Sequence, residues 1–366
     1  MDLSNFKSGF ASDYETSRTM FREACGKQYG KVKALPIIDD CTIDLFCREG
    51  TDKKKLLFIT SGQHGIEGYV GAGLIQCFIK EYLPNLDASI GIVLIHGMNS
   101  WGMKHYRKTN EHNVDLNRNF MVDFTKAAAD ANPFYLKAAK LFQPARGYRH
   151  AFLETIRFVG STVSLLMKMG MGNIEKAMTL GQFVCDKGLY YGGHEDEPAT
   201  AIMKALYQEY FTKYEEVILL DMHTGYGPAN HMSIVNSRFE KQSSKEMKEN
   251  FQYPDVVKSD AQEFYEIYGD EIDYLYQTFP DKKMYAATFE FGTLGNDIMG
   301  YIRTLKAIVN ENQAYFYGTG NERQKQSIKE AYQKLYQPMD DAFYQAIYPQ
   351  FVKAMDGILK YYQYIK

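Results

Sequence analysis

The chain reads as an α/β domain built on a mainly parallel sheet with helices on both faces. Three observations predict this. Residues 56–60, 90–95 and 217–220 are short, unbroken apolar runs, and strands without alternation are buried on both faces, as in parallel sheets covered by helices. Segments with helical periodicity separate these runs. Each run leads into a polar loop, and sites in this architecture lie at the carboxyl ends of the strands.

The elements follow in order. Phe10, Tyr14, Ser17, Phe21 and Ala24 recur at helical spacing and predict a helix within the first thirty residues. Residues 41–47 predict a strand closed by the turn-like Glu49-Gly50-Thr51-Asp52. The strand at 56–60 runs into Ser61-Gly62-Gln63-His64-Gly65-Ile66-Glu67-Gly68, with a helix from Tyr69 to about Tyr82. The strand at 90–95 ends in His96-Gly97-Met98-Asn99. Residues 122–210 are mostly helical in pattern, with breaks at Pro133, Pro144, Gly147, 170–172 and 190–198. The run at 217–220 leads into Asp221-Met222-His223-Thr224-Gly225, a short strand follows at 232–235, and 285–291 is a late strand holding one acid. From Tyr301 onward the pattern is helical, with breaks at 317–320 and near Pro338. No repeat, low-complexity tract or linker divides the chain. The prediction is one elaborated domain over 1–366, with a mostly helical insertion at 121–215.

Composition narrows the function classes. Of 366 residues, 45% are hydrophobic and 24% charged, which is the balance of a folded globular chain and not of a disordered one. Lys plus Arg is 42 against 45 Asp plus Glu, and a net charge of −3 argues against broad phosphate neutralisation on nucleic acid. Five cysteines, none in C-x-x-C spacing, fit a reduced compartment better than a disulfide framework. The start of the chain lacks the pattern of a classical signal peptide, and no apolar run approaches the ~20 residues of a membrane span. A cytoplasmic protein is expected, without a membrane or nucleic-acid partner; the oligomeric state is open. Tyrosine is abundant, 29 against one Trp, and serves a cleft as well as a core because it joins apolar area to a polar tip.

Four groups of polar residues stand at strand ends. His64 and Glu67 follow the strand at 56–60; they are metal ligands whose side chains converge through a turn, or a strand-terminal turn with a capping acid. His223 supplies a third ligand with Asp221 orienting its imidazole, or is a hydrogen-bonded turn histidine. Glu290, between Phe289 and Phe291, is a carboxylate whose pKa a low-dielectric cleft raises, or a salt-bridged or outward-facing strand position. Arg107-Lys108-Thr109 and Asp115-Leu116-Asn117-Arg118-Asn119-Phe120 offer guanidinium groups for carboxylates and developing negative charge, or are surface charge and an Asn-rich loop. His96 ends a strand and is placed to line the cleft. Of the rest, His194 stands in an acidic loop, and His105, His112, His150 and His231 have no evident partner.

The ordered series His64-x-x-Glu67, Arg107-Lys-Thr, Asp115-Leu-Asn117-Arg118-Asn-Phe, Asp221-x-His223-x-Gly and Glu290 resembles the zinc metallocarboxypeptidase family, and SGQHGIEGYVGAG and DMHTGYGP look like a bacterial-type branch of its carboxypeptidase A-like superfamily. The resemblance spans about 54–293. It implies a mixed, largely parallel sheet flanked by helices and one zinc ion per chain, held by His64, Glu67 and His223. It implies Glu290 as the general acid/base, Arg107 as the group that polarises the carbonyl, and Asn117 and Arg118 as the grip on a substrate carboxylate. The family's digestive-type branch closes a tyrosine over its substrate; here Tyr253, Tyr265, Tyr268, Tyr274 and Tyr276 stand in the corresponding interval, and Tyr268 is chosen by distance along the chain. Asn99-Ser-Trp-Gly replaces the family's Asn-Pro-Asp-Gly turn. The implied activity is release of a C-terminal amino acid from a small peptide, with deacylation of an N-acyl amino acid as the alternative. A noncatalytic binding protein is disfavoured because the set is intact. G-x-S-x-G, H-E-x-x-H and G-x-G-x-x-G signatures are missing, against serine hydrolases, helix-borne zinc proteases and dinucleotide enzymes.

Overall fold

The structure, a computed structural model, describes residues 2–126, 132–259 and 267–366. These form eight strands: β1 (Val32–Ile38), β2 (Cys41–Arg48), β3 (Lys55–Ser61), β4 (Ile90–His96), β5 (Glu216–Gly225), β6 (Met232–Asn236), β7 (Val256–Lys258) and β8 (Lys283–Gly292). They make one sheet in the order β1-β2-β4-β3-β5-β8-β6-β7. The centre, β4-β3-β5-β8, is parallel; β1-β2, β2-β4 and β8-β6 are antiparallel. The sheet is thus mixed and largely parallel, as expected.

The helices are α1 (Leu3–Lys7), α2 (Tyr14–Tyr29), α3 (Gly68–Glu81), α4 (Ser100–His105), α5 (Pro133–Phe142), α6 (Ala151–Met169), α7 (Met171–Thr179), α8 (Pro198–Lys213), α9 (Ser244–Phe251), α10 (Glu271–Thr278), α11 (Ile298–Tyr317), α12 (Glu322–Tyr336) and α13 (Asp341–Tyr361). Alternate residues of each central strand feed opposite faces. Leu57 and Ile59 of β3 pack with Phe21, Leu74, Phe78, Phe351 and Ile358, under α2, α3 and α13. Leu56 and Phe58 pack with Tyr207, Phe211 and Leu275, under α8 and α10. Burial on both faces is why these strands show no alternation in sequence.

A third cluster joins α5, α6 and α7 to α11 and α12 through Phe142, Phe158, Leu165, Ile174, Ile308 and Leu335. It reaches the loop after β3 at Ile66, two residues past His64. The predicted insertion at 121–215 is therefore two things. Helices α5 to α7 form this satellite, whereas α8 is a layer of the main domain, because Met203, Tyr207 and Phe211 cover the sheet. Part of the predicted insertion, 127–131, lies outside the described residues.

Candidate metal centre and its cleft

The site forms where β3, β5 and β8 end side by side. After β3 the chain passes His64 and makes a 3-10 turn at Gly65–Glu67 before α3 begins. A Cβ on Gly65 would stand 2.2 Å from the carbonyl carbon of Gly102 in α4, so glycine alone permits this approach. The Gly65 and Ile66 N–H groups donate to the carbonyls of Lys108 (3.1 Å) and Arg107 (2.9 Å), tying the loop to the segment after α4. Strand β5 continues past its apolar run and carries Asp221 and His223. Its register with β8 sets His223 beside Glu290.

His64, Glu67 and His223 are buried, and each offers a ligand atom within 4.8 Å of the others; among the described residues they are the group of that kind. Nδ1 of His64 lies 2.9 Å from one Glu67 oxygen, and Nδ1 of His223 lies 3.2 Å from the other. The two Nδ1 atoms are 3.2 Å apart. The far nitrogens are engaged elsewhere: His64 Nε2 lies 2.9 Å from Asp115 Oδ1 and His223 Nε2 2.5 Å from Asp221 Oδ2. A carboxylate behind an imidazole keeps the proton on Nε2 and turns the other lone pair inward. The Nδ1 lone pairs then face each other and a carboxylate, an arrangement that a cation resolves. Two imidazoles and a carboxylate are a zinc donor set of the catalytic type.

The carboxylates of Glu67, Asp115 and Asp221 favour positive charge among them. Burial opposes ionisation of Glu67 and Asp115. His64 and His223 together outweigh it for Glu67, and Lys108, His64 and Arg118 together outweigh it for Asp115, so both carboxyls titrate below the ordinary range. Burial also opposes a charge on His223, but Asp221 and Glu67 raise its pKa well above the ordinary imidazole value. Asp221 is further held by the Thr60 hydroxyl, which donates to it at 2.7 Å. The Glu290 carboxyl is pushed up to about 8, first by burial and then by the nearby negative charge of Glu67. One of its oxygens accepts from the Tyr226 N–H at 3.0 Å.

The cleft in front of the cluster is lined by Lys108, Asn117, Arg118, Asp270, Thr288 and Glu290 among others. Arg118 is anchored by donating to the carbonyls of Asn117 (2.8 Å) and Thr179 (2.7 Å), and its guanidinium lies 5.3 Å from the Tyr190 ring centre. Asn117 has a structural duty as well. Its oxygen accepts from the Glu271 N–H (3.0 Å) and its amide donates to Asp270 (3.1 Å), which together cap α10.

Three residues expected at the cleft stand apart from its lining. Arg107 does not enter the cleft: it pairs with Glu311 of α11 at 3.1 Å, donates to Asn113 at 3.0 Å and lies against the Tyr315 ring. Lys108, its neighbour, faces the cleft instead, with Nζ 3.4 Å from Asp115 and 4.6 Å from the Tyr190 ring centre. Tyr268 is half-buried, gives its N–H to the Leu180 carbonyl at 3.1 Å, and is not among the lining residues; Ile267 lines the cleft. Tyr265 lies outside the described residues. His96 is also away from the cleft, bonded to Ser17 at 2.9 Å and stacked on Phe21 under α2.

Residues that the sequence reading did not assign complete the site. Asp115 orients His64, and Lys108 brings the cation. Gln63, next to His64, donates at 2.8 Å to Glu271, which also accepts from the Tyr207 hydroxyl. Burial raises the Glu271 carboxyl to about 8. These partners are far apart along the chain, and the local signals that pointed to any of them are Arg107-Lys108-Thr109 and Asp115-Leu-Asn117-Arg118.

Residues 10–350 match the profile of a family described as a protein of unknown function (DUF2817). The chain belongs to the DUF2817 family. All the residues of the cluster and cleft described above fall within that match. No curated protein matches the chain. Several solved structures are similar to this DUF2817 protein. Bovine thrombin-activatable fibrinolysis inhibitor, solved with a tick carboxypeptidase inhibitor, is 14% identical over 84% of this chain and 97% of its own, with a TM-score of 0.47. Carboxypeptidase A from Helicoverpa armigera is 12% identical over 89% of this chain and 75% of its own, also at 0.47. An aspartoacylase family protein from Mesorhizobium loti is 14% identical over 78% and 65%, at 0.38.

Proposed function

We propose that this protein is a zinc-dependent amide hydrolase that releases a C-terminal amino acid from a small peptide. The observation that carries this reading is the buried convergence of His64, Glu67 and His223, with Glu290 on the adjoining strand. A zinc ion held by the three ligands would polarise the scissile carbonyl and lower the pKa of an attacking water. Glu290 takes a proton from that water as it adds to the carbonyl carbon, and passes a proton to the nitrogen as the C–N bond breaks. The products are a shortened acid and a free amine. A carboxyl with its pKa near 8 holds a proton well enough to deliver it, and the approach of a cation restores its basicity. Lys108 offsets the charge that develops on the carbonyl oxygen, a role that Arg107 does not reach from its pairing with Glu311. Arg118, with donors left over after its two carbonyl bonds, receives the substrate carboxylate and fixes the scissile bond.

A second reading, hydrolysis of an N-acyl amino acid, draws support from the depth of the cluster. His64, Glu67 and His223 are each no more than 5% exposed, which suits a small substrate. The test is to incubate the zinc-quantified full chain with a library of short peptides and a library of N-acyl amino acids, following products by mass spectrometry. Glu290→Gln is the control, and it should keep its zinc and lose about 10²- to 10⁴-fold in rate. Single C-terminal residues released from peptides support the first reading, and cleavage confined to acyl amino acids selects the second. Undiminished turnover by Glu290→Gln would remove the mechanism.

A further inference from the structure

Helix α6 is apolar on two opposite faces. Phe158 and Leu165 point into the satellite cluster and hold the helix against the domain. On the other side Phe152 and Met167 are 76% and 79% exposed, and Ile156, Val159 and Val163 are about half exposed, at 52%, 50% and 48%. At 3.6 residues per turn these five side chains fall within an arc of roughly 80°, opposite the buried face. A helix with one apolar face is explained by the core it packs on; a helix apolar on two faces is built to be covered on both. The stripe carries no charge. Arg157, beside it, is tethered to the buried Glu154 at 2.7 Å.

The stripe is also self-complementary. We propose that α6 pairs antiparallel with α6 of a second copy of this chain, about a two-fold axis between Val159 and Gly160. This pairing sets Phe152 against Met167 of the partner subunit, Ile156 against Val163 of the partner subunit, and Val159 against Gly160 of the partner subunit. Two-fold symmetry makes each contact twice, as an isologous interface requires. Gly160 is the glycine of α6, it lies at the crossing point, and nothing stands within 4 Å of where its Cβ would be. Two helices can therefore approach closely there. The five side chains and the flanking Leu153 leave on the order of 600 Å² of apolar surface to solvent, at the upper end of what a monomer shows. Two such patches buried together reach about 1,200 Å², the threshold of a specific, stable interface. The proposal does not depend on the hydrolytic reading.

Sedimentation velocity on the full chain should give a dimer. Ile156→Glu combined with Val163→Glu should weaken it at least a hundredfold, with the circular dichroism spectrum unchanged, since both sites are on the surface of the protomer. Cross-linking then fixes the geometry, in a background carrying Cys47→Ser and Cys185→Ser. Val159→Cys, near the axis, should form a disulfide-linked dimer. Phe152→Cys alone should not, because its two copies stand about 22 Å apart along an antiparallel pair. Phe152→Cys with Met167→Cys should. A monomer at 100 µM, a dimer indifferent to the two Glu substitutions, or a dimer linked through Phe152→Cys alone would overturn the proposal. So would a monomer that floats with phosphatidylcholine–phosphatidylglycerol vesicles, which would assign the stripe to a lipid surface.

Discussion

At the scale of single residues, the site turns on which of two neighbouring cations faces the cleft. Arg107 and Lys108 are adjacent, and the backbone that ties them to Gly65 and Ile66 sends one toward α11 and the other toward the metal cluster. Their substitutions should separate accordingly. Lys108→Met should lower kcat by about 10²- to 10³-fold with zinc content unchanged. Arg107→Met should instead cost stability, on the order of 2 kcal/mol, because it removes the charged partner of the half-buried Glu311 and the donor to Asn113. Steady-state kinetics and urea unfolding on both variants check this, and the reverse pattern would return the role to Arg107. His64, Glu67 and His223 were legible as ligand types at strand ends. The direction of Lys108 was not, because spacing does not say which of two adjacent side chains turns inward. Asp115 lies 51 residues from the imidazole it orients, a distance over which periodicity carries no information.

At the scale of elements, legibility followed burial. Strands β3, β4, β5 and β8 were readable because both faces are covered and their sequences are continuously apolar. Strand β1 was missed: it is an edge strand with no fully buried residue and with Pro36 inside it. Strand β7 has three residues, too few for a pattern. Helix α8 was assigned to the insertion because periodicity shows a helix but not the layer it joins. The start of α10 carries a prediction of its own. Burial holds the proton on Glu271 to about pH 8, whereas its ordinary value is 4.5. Between those values the folded chain binds more protons than the unfolded one, so stability falls as pH rises through that window. Glu271→Gln removes this dependence. Its stability relative to the native chain should rise from pH 5 to pH 8 by up to about 4 kcal/mol, measured by denaturant unfolding at both pH values. A constant difference would mean that Glu271 is ionised in the fold.

At the scale of the whole molecule, the sheet brings three segments distant in sequence to one edge: the loop after β3, the end of β5 and the end of β8. The imidazoles and carboxylates gathered there form a donor set that would hold a cation, with its own oriented supports, and a proton-holding Glu290 stands beside it. Among the described residues, no helix is long and apolar enough to cross a membrane. The central claim is that this edge is one zinc site. Zinc per chain, measured by elemental mass spectrometry after dialysis against metal-free buffer and reloading, tests it most directly when read together with the thermal midpoint. One zinc per native chain is predicted, with a midpoint raised by loading, because an ion that binds the fold at 1,000 times its Kd adds about 4 kcal/mol. Glu67→Gln and His223→Ala should lose both the zinc and the shift, while Glu290→Gln keeps both. Full zinc occupancy in His223→Ala, or no zinc in the native chain under saturating conditions, would contradict the account.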